Sequence, residues 1–479
     1  MAEESTYISL NTDLQQVITT EQAWHYSIIP KTSDSNSIAL YADASRINHG
    51  LKDELEILFG KKIDLIELEP DIIQKTLVKY YRKNNSRNQG VKTADTHKAD
   101  DFLNHLIAEA RQLGSSDIHI EAFEEKCRVR IRIDGLLIER YTIGKNDYPA
   151  LVNKIKIKAN LDIAEKRLPQ DGRIFFESNG SKFDIRVSVL PTLHGEKIVL
   201  RLLNKDTTDI DINQLGFSKD GLVNYLEGIK KPHGIVLISG PTGSGKTTTL
   251  YATLKILNKE KTNVLTIEDP IEYTLEGINQ VQLKESIGLT FSSALRTFLR
   301  QDPDVIMVGE IRDGDTAQIA IRAALTGHLV LSTIHTNSAW GTISRLADMG
   351  VPPFLIASTL NTTVAQRLIR LLCPDCKHKE QFNDKFFPLH FKPLRPLKEH
   401  CVAKGCESCY YTGYKGRRAI YEVISIDYEL ADHIKNSVFN IGSLLKQKNI
   451  KTLTENAFEM LENGETSVEE VYPILLNNY

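Results

Sequence analysis

The apolar positions divide the chain into three parts with different periodicities. In the first part, residues 24–30 and 37–42 have the short alternating pattern of strands, whereas residues 51–58 place apolar side chains at helical spacing. We therefore predict a small N-terminal α/β domain over residues 1–82. A polar, charge-rich stretch without apolar periodicity follows, and this composition predicts a linker over residues 83–98.

The second part of the chain alternates like an antiparallel sheet. A helical pattern begins at Ala99, and residues 116–121 and 127–134 then alternate between apolar and polar side chains. Asp134-Gly135 at the end of the second run is a strong signal for a hairpin turn. We predict that residues 99–204 form an α+β domain built on an antiparallel sheet.

In the third part, after a predicted linker over residues 205–220, apolar strands alternate with long helices. This order is typical of a parallel sheet covered by helices on both faces. We predict an α/β domain over residues 221–479 that ends in helices with an acidic surface. Its strand candidates are residues 234–239, 263–267, 305–308 and 329–333.

The charges at the start of the chain and the hydropathy of its segments indicate where in the cell the protein is located. The beginning of the chain carries Glu3 and Glu4 and has no basic start followed by an apolar run, so we expect no secretory signal. No window approaches the roughly 18 uninterrupted apolar residues that a membrane-spanning helix needs. We therefore expect a cytoplasmic protein whose contact with a membrane is made through partners.

The clearest chemical signature follows the first strand of the third part. It fits the pattern G-x-x-x-x-G-K-[ST], in which glycines let backbone N–H groups converge on phosphate oxygens. The helix that follows presents its positive end to the same anion. We predict an ATP site in which Lys246 reaches the β- and γ-phosphates and Thr247 binds Mg²⁺. Its binding residues are Gly240, Pro241, Thr242, Gly243, Ser244, Gly245, Lys246, Thr247 and Thr248.

Two other strands of the third part end in acids. Glu310 follows the strand at 305–308, where a carboxylate can orient the attacking water or join the shell of the metal. An ordinary acid at a helix start is the alternative. Glu268, Asp269 and Glu272 follow another strand, at the edge where open α/β sheets bind ligands. A solvated acidic loop is the alternative for these three.

His328 and His335 bracket the strand at 329–333. Each imidazole could sense a phosphate or a neighbouring subunit. A structural role at a strand end is the commoner alternative for both.

Five of the six cysteines lie close together in the sequence. Cys373 with Cys376, and Cys406 with Cys409, form two C-x-x-C pairs, and two such pairs complete a tetrahedron of thiolates around one ion. We predict a structural Zn²⁺ site, without an open position, in a lobe over residues 370–416. Cys401 lies outside both pairs and is not needed for the site. The alternative to a metal site is a redox-active pair of cysteines.

The motifs in this order resemble the secretion ATPases that drive type II secretion and type IV pilus assembly. The resemblance rests on the phosphate loop at 240–247, the acidic box at 266–273, the signature at 299–313, the histidine box at 326–337, the tetracysteine lobe, and three second-domain segments at 116–121, 128–135 and 168–173.

The resemblance implies a multidomain α/β protein with a RecA-like P-loop core, preceded by a PAS-like α+β domain and the small N-terminal domain. It implies a motor that hydrolyses ATP to power type II secretion or type IV pilus assembly. The residues that it assigns to the site are Glu310 as the catalytic glutamate, Glu268, Asp269 and Glu272 for holding metal or water, and His328 and His335 beside the nucleotide.

The resemblance also implies an assembly. Members act as homohexamers in which second-domain arginines approach ATP; the candidates are Arg130, Arg132, Arg173 and Arg186. The implied partners are an inner-membrane platform protein and a membrane assembly protein that faces the cytoplasm, with residues 1–82 binding a partner. The tetracysteine lobe and the short N-terminal domain favour secretion over pilus extension.

Two rival functions are less well supported. A nucleic-acid-translocating motor is the main alternative. Nucleic-acid binders usually carry a strongly positive net charge, whereas the formal net charge of this chain is -3, so we expect no nucleic-acid partner. A scaffold that binds ATP without hydrolysing it is the other, and the intact Lys246, Thr247 and Glu310 argue against it.

Overall fold

The structure is a computed structural model. It describes residues 8, 10, 14–15, 17–34, 36–43, 47, 49–81, 92–93, 99–178, 181–203, 211–382, 395–438 and 440–476. The chain divides into two compact units: residues 1–93 with 382–389, and residues 94–381 with 390–479. Most of the predicted linker at 83–98 lies outside the described residues. Of the predicted linker at 205–220, residues 205–210 lie outside them, whereas residues 211–220 are described and the last two already belong to a helix.

The first unit combines helices with a small mixed sheet. Its elements are α1 (Thr20–Tyr26), β1 (Ile28–Ser33), β2 (Ser37–Asp43), α2 (His49–Phe59), β3 (Lys62–Leu68), α3 (Pro70–Tyr80) and β4 (Lys92–Thr93). Strand β2 pairs antiparallel with β1 and parallel with β3. Buried Ile29, Leu40 and Ile63 contribute to the core.

The strand predicted at 24–30 is wrong in its first half, because a helix occupies it. Thr19 caps α1: its hydroxyl accepts from the Gln22 N–H, and the Gln22 side chain accepts from the Thr19 N–H. This reciprocal pair satisfies N–H groups at the helix start. Strand β1 therefore begins only at Ile28.

The second unit begins with the predicted α+β domain. Its elements are α4 (Ala99–Gln112), β5 (Asp117–Ala122), β6 (Cys127–Ile133), β7 (Leu136–Ile143), α5 (Tyr148–Lys158), β8 (Gln170–Ser178), β9 (Ser181–Thr192) and β10 (Gly195–Leu203). Antiparallel neighbours run in the order β7-β6-β5-β10-β9-β8. Buried side chains of the alternating strands, such as Ile118 and Val129, share one core with Leu103 and Leu106 of α4.

The hairpin predicted at Asp134-Gly135 is confirmed. Both residues have positive φ, 47° and 86°, as a two-residue turn between antiparallel strands requires. They join β6 to β7 directly.

The second unit continues with the predicted α/β domain. Its elements up to the last long strand of the sheet are α6 (Lys219–Lys230), β11 (Gly234–Ser239), α7 (Lys246–Leu257), β12 (Val264–Glu268), β13 (Asn279–Gln282), α8 (Phe291–Phe298), β14 (Val305–Val308), α9 (Gly314–Leu325), β15 (Leu329–Ile334), α10 (Gly341–Asp348), α11 (Pro353–Thr359), β16 (Leu360–Leu372), β17 (His378–Gln381), β18 (Glu399–Val402) and β19 (Tyr414–Ser425). Helices α12 (Tyr428–Lys435), α13 (Gly442–Gln447), α14 (Leu453–Glu462) and α15 (Val468–Leu475) follow.

The predicted parallel sheet is confirmed, and one antiparallel strand, β19, extends it at the edge beside β16. The strand order is β13-β12-β14-β15-β11-β16-β19, with parallel pairing as far as β16 and antiparallel pairing between β16 and β19. Strands β11, β12, β14 and β15 are buried along their whole length, which explains their continuous apolar sequences. Across the described ranges, no helix is both long and apolar enough to cross a bilayer.

Candidate functional site

The phosphate-loop sequence lies at the carboxyl end of β11, an inner strand of the parallel sheet. The strand ends at Ser239 and α7 begins at Lys246, so residues 240–245 form the turn between them. Gly240 and Gly245 have φ values of 150° and 87°. A Cβ atom on Gly240 would lie 2.5 Å from the Gln366 carbonyl, and one on Gly245 would lie 2.9 Å from the Gln366 amide nitrogen. Only glycine fits at both positions.

The side chains of this turn suit a phosphate group. Lys246 Nζ donates to the carbonyls of Gly240 and Pro241, at 2.8 and 3.0 Å. Burial lowers the pKa of Lys246, while the charge of Glu310 acts in the opposite direction. The Ser244 hydroxyl is buried and has no hydrogen-bond partner among the described residues. A cation and a hydroxyl with unused bonding capacity therefore border a backbone cradle, which fits an anionic ligand.

The first turn of α7 supplies the other predicted contacts. Thr247 is exposed and Thr248 is half-buried, and both follow Lys246 directly at the positive end of the helix. A hydroxyl in this position is the oxygen ligand that P-loop proteins offer to Mg²⁺. The residues present therefore fit a nucleotide with Mg²⁺.

Glu310 lies in a charged cluster beside the loop. Arg312 forms an ion pair with Glu310 and also approaches Asp269 Oδ2 at 3.4 Å. His335 Nε2 lies 3.4 Å from the second oxygen of Glu310. Strands β14 and β11 both pair in parallel with β15, so Glu310 and the phosphate loop follow strand ends at the same edge of the sheet. The structure thus brings together the predicted residues Asp269, Glu310 and His335 and adds Arg312, which the sequence indicated only as part of the signature at 299–313.

The two remaining predicted acids have different environments. Glu268 is 3% exposed, and its carboxylate accepts hydrogen bonds from Tyr251, Thr266 and Gln280. Its oxygens are therefore engaged by the core, which differs from the predicted contact with metal or water. Glu272 is more open, with a side chain that is 39% exposed.

The four candidate arginines separate into two groups. Arg130 pairs with Glu121 at 2.8 Å, Arg132 with Asp117 at 3.5 Å and Arg173 with Asp184 at 3.8 Å, all within the sheet of the second domain. Arg186 instead reaches the α/β domain of the same chain. It donates to the Ile271 carbonyl, and its guanidinium lies 3.6 Å from Glu272. Arg186 is thus the candidate that contacts the acidic loop in this structure.

His328 does not lie beside the phosphate loop of its own chain, which differs from the expected position beside the nucleotide. Strands β11 and β15 are parallel, with Gly234 opposite Leu329 and Ser239 opposite Ile334. His328 precedes β15, whereas the loop follows β11, so they lie at opposite edges of the sheet, about 20 Å apart at roughly 3.3 Å per residue. The His328 ring lies 2.9 Å from the Ala323 carbonyl instead.

The four predicted zinc ligands converge. The Sγ atoms of Cys373, Cys376, Cys406 and Cys409 all lie within 4.8 Å of one another. Three of the separations are 3.9, 3.8 and 3.7 Å, close to the roughly 3.8 Å edge of a tetrahedron with Zn–S bonds of about 2.3 Å.

The surroundings of Cys406 and Cys409 favour thiolates, whereas burial raises the pKa of Cys376 to about 12. Backbone N–H groups of Cys406 and Gly413 each donate to Cys409 Sγ at 3.2 Å. A hydrogen bond from Ser408 lowers the pKa of Cys406 to about 6. Cys401 lies on β18, outside the cluster, as predicted. The donor set therefore fits Zn²⁺ without an open position, and the ion would tie the two turns together.

Comparison with known sequences identifies relatives. The profile of the family described as "Type II/IV secretion system protein" matches residues 92–473. Type II secretion system ATPase E of Vibrio cholerae is 46% identical over 375 residues, which cover 77% of this chain and 74% of that protein. Type IV pilus assembly ATPase PilB of Myxococcus xanthus is 40% identical over 491 residues, with coverage of 96% and 86%.

Solved structures show the same architecture. The pilus retraction motor PilT, crystallised with ADP, is 26% identical with a TM-score of 0.53, covering 78% of this chain and 96% of that one. The Legionella pneumophila ATPase DotB has a TM-score of 0.61 at 22% identity, over 81% and 100% of the two chains, and shows the fold alone. The family match and the residues around the phosphate loop agree: the protein is an ATPase and belongs to the Type II/IV secretion system protein family.

Proposed function

We propose that the protein is a motor that hydrolyses ATP to power type II protein secretion or type IV pilus assembly at the inner membrane. The observation that carries the proposal is that the glycine-bounded loop with Lys246 and the end of β14 with Glu310 lie at the same, carboxyl edge of the parallel sheet. It occurs in a chain whose relatives are named type II secretion system ATPase E and type IV pilus assembly ATPase PilB.

In the proposed mechanism each part of the site has a separate task. The backbone N–H groups of residues 242–245 and the side chain of Lys246 would hold the phosphates, and Thr247 and Asp269 would hold Mg²⁺ with its water shell. Bound Mg²⁺ would neutralise charge on the phosphate oxygens. Glu310 orients the attacking water and accepts its proton. Arg312 fixes one oxygen of Glu310, while the other faces His335.

Motion of the second domain would convert hydrolysis into work. Arg186 already connects β9 to the acidic loop at Ile271 and Glu272. Mg²⁺ bound with the nucleotide would attract the same acidic loop and so change this contact, and the segment at 205–220 would act as the hinge. Arg130, Arg132 and Arg173 remain candidates for reaching ATP across a subunit interface, since a guanidinium from another subunit stabilises charge in phosphoryl transfer.

The proposal includes the setting of the motor. The active form would be a homohexamer in the cytoplasm, peripheral to the inner membrane and bound there through an inner-membrane platform protein and a cytoplasm-facing assembly protein. Residues 1–82 would bind a partner, residues 99–204 would form the moving domain, and residues 221–479 would hydrolyse ATP. The tetracysteine lobe at 370–416 would carry structural Zn²⁺.

A genetic replacement tests the motor function. Glu310→Gln, introduced in place of the native gene, should abolish secretion or surface pili while the protein level stays unchanged, because the amide cannot accept a proton. Glu276→Gln is the matched control, since Glu276 is an exposed acid in a nearby loop. Normal secretion and normal pili in the Glu310 variant would contradict the proposal, and DNA-stimulated turnover of the purified protein would favour the nucleic-acid motor.

A further inference from the structure

Gln366 has a buried side-chain amide that contacts the phosphate loop on the side facing the sheet. It lies on β16, the strand beside β11, and is 1% exposed. Its Nε2 donates to the Ser244 carbonyl at 2.8 Å, and its Oε1 accepts from the Thr249 hydroxyl at 3.0 Å. Its backbone carbonyl is the atom against which Gly240 packs. One side chain thus joins the loop to helix α7, and its burial is tolerable because both ends are hydrogen-bonded.

The hydrogen bonds continue from Thr249 towards the segment that enters the α/β domain. The hydroxyls of Thr249 and Tyr421 lie 3.1 Å apart. The Tyr421 ring stacks on Phe217, with centroids 3.6 Å apart and an interplanar angle of 11°. Phe217 belongs to the predicted linker at 205–220. The path therefore runs through a few buried contacts from the phosphate loop to Phe217, in the segment between the second domain and the α/β domain, which we call the interdomain segment.

A second tyrosine contacts Phe217 and is also bonded to α7. The ring centroids of Tyr225 and Phe217 lie 5.2 Å apart, and the Tyr225 and Thr253 hydroxyls are within 2.7 Å. Thr253 and Thr249 are four residues apart and share one face of the helix. Thr253 also donates to the Thr249 carbonyl at 2.8 Å. Both aromatic neighbours of Phe217 therefore hydrogen-bond to the helix that begins at the phosphate loop.

The backbone beside Phe217 is held closely against β19. Gly216 has a φ of 101°, and a Cβ atom there would lie 2.5 Å from the Ala419 carbonyl. This approach leaves no room for a side chain. The segment is thus seated against the same strand that carries Tyr421.

We propose that Gln366 is a positioning residue for ATP hydrolysis, and that the path Gln366–Thr249–Tyr421–Phe217 couples the shape of the phosphate loop to the interdomain segment. A fully hydrogen-bonded buried network is rigid, and removing one member leaves its neighbours unsatisfied. Phosphate binding requires one loop shape, which Gln366 fixes through Ser244. A displacement of the loop is transmitted through Thr249 to the aromatic contact with Phe217.

The first test measures nucleotide affinity and turnover of the full chain. Gln366→Met keeps the volume of the side chain but removes both hydrogen bonds, so we expect the Kd of a fluorescent ATP analogue to rise about tenfold. We expect kcat to fall as well, because the loop no longer aligns the phosphates. Gln318→Met, at an exposed position of α9, is the matched control. Equal Kd and kcat values for the two variants would overturn the positioning role.

The second test is a double-mutant cycle in the Kd of the nucleotide, with the melting temperature of each variant measured in parallel so that an effect on folding alone is recognised. Tyr421→Phe keeps the stack on Phe217 and removes only the hydroxyl, so its Kd should rise about threefold, with Tyr428→Phe as the exposed control. In the double variant with Gln366→Met, the increase in Kd should be clearly smaller than the product of the single effects. Additive effects would overturn the coupling.

A third variant reaches the far end of the path and keeps the proposal testable if Gln366→Met fails to fold. Phe217→Leu retains an apolar side chain but loses the aromatic stack, and we expect a twofold to threefold rise in Kd, on the order of one lost contact. Tyr421→Phe and Phe217→Leu with Kd values equal to that of the native chain would overturn the proposal by themselves.

Discussion

The phosphate loop and the tetracysteine lobe hold their shapes in opposite ways. The loop lies between a fully buried strand and a helix, and Gln366 and tightly packed glycines support it from below. The lobe has two short strands, β17 and β18, and its buried side chains among the described residues are Leu372, Cys373, His400, Cys401 and Cys409.

The difference shows which site depends on its ligand for folding. The core of the α/β domain preorganises the phosphate loop, so losing the nucleotide should change occupancy and leave the fold intact. The lobe brings four thiols together and buries few other apolar groups. Its order should therefore depend on the free energy of metal binding, which in small structural sites is folding free energy.

Removing the metal should have the largest effect. Structural Zn²⁺ supplies roughly 10 kcal/mol or more in small domains, so Cys376→Ser or a strong chelator should unfold the lobe. Metal analysis should give one zinc per native chain and a greatly reduced content in the variant, and hydrogen exchange should become fast at residues 372–377 and 406–413. Cys401→Ala is the control and should keep its zinc. A variant that has lost its zinc but keeps native protection from hydrogen exchange would contradict the claim that the lobe depends on the metal for its folding.

Changing the phosphate loop should affect chemistry and leave the fold unchanged. Lys246→Ala removes the cation that the loop carbonyls hold, and turnover should fall on the order of 100-fold or more, as for other electrostatic groups of active sites. Its melting temperature without nucleotide should match that of Lys261→Ala, an exposed control. A large decrease in melting temperature for the Lys246 variant alone would show that this site, too, depends on its charges for folding.

Arg186→Ala should have a moderate effect. The variant loses a half-buried, charge-assisted contact with Glu272 and Ile271, worth about 1–3 kcal/mol. ATP turnover should fall about tenfold, with little change in nucleotide binding. Arg201→Ala, on the same domain and 59% exposed, is the control. Full activity of the Arg186 variant would return the choice to Arg130, Arg132 and Arg173.

The smallest effect is expected at His328. Since this residue lies at the edge of the sheet away from the phosphate loop, His328→Ala should bind ATP with unchanged affinity in the isolated chain. His335→Ala should lower turnover, because its ring lies beside Glu310. Titration with a fluorescent ATP analogue measures the affinity of the His328 variant, and a turnover assay measures the effect of His335→Ala. Weaker binding by the His328 variant in the isolated chain would contradict its placement away from the nucleotide, whereas weaker binding only in the assembled oligomer would indicate a contact from a neighbouring subunit.

The sequence predicted the parts of the site that depend on local order. The phosphate loop, the strand before Glu310 and the two cysteine pairs are each determined by residues close in sequence, so their periodicity and spacing predict them. The parallel sheet was predictable for the same reason, because fully buried strands are continuous apolar runs.

The contacts that the sequence did not predict join residues far apart in the chain. Gln366 meets Thr249 across 117 positions, and no local pattern marks either residue as part of the site. The burial of Glu268 results from Tyr251 and Gln280 on other elements. The position of His328 follows from strand direction, which apolar periodicity does not report.

The most direct test of the central claim is Mg²⁺-dependent ATP turnover by the purified protein and by Glu310→Gln, with ATP binding measured in parallel. If Glu310 is the catalytic base at this loop, turnover should fall by roughly 100-fold to 10,000-fold while ATP still binds. Turnover should also be indifferent to added DNA. Unchanged turnover in the variant would contradict the assignment of Glu310 and, with it, the proposed mechanism.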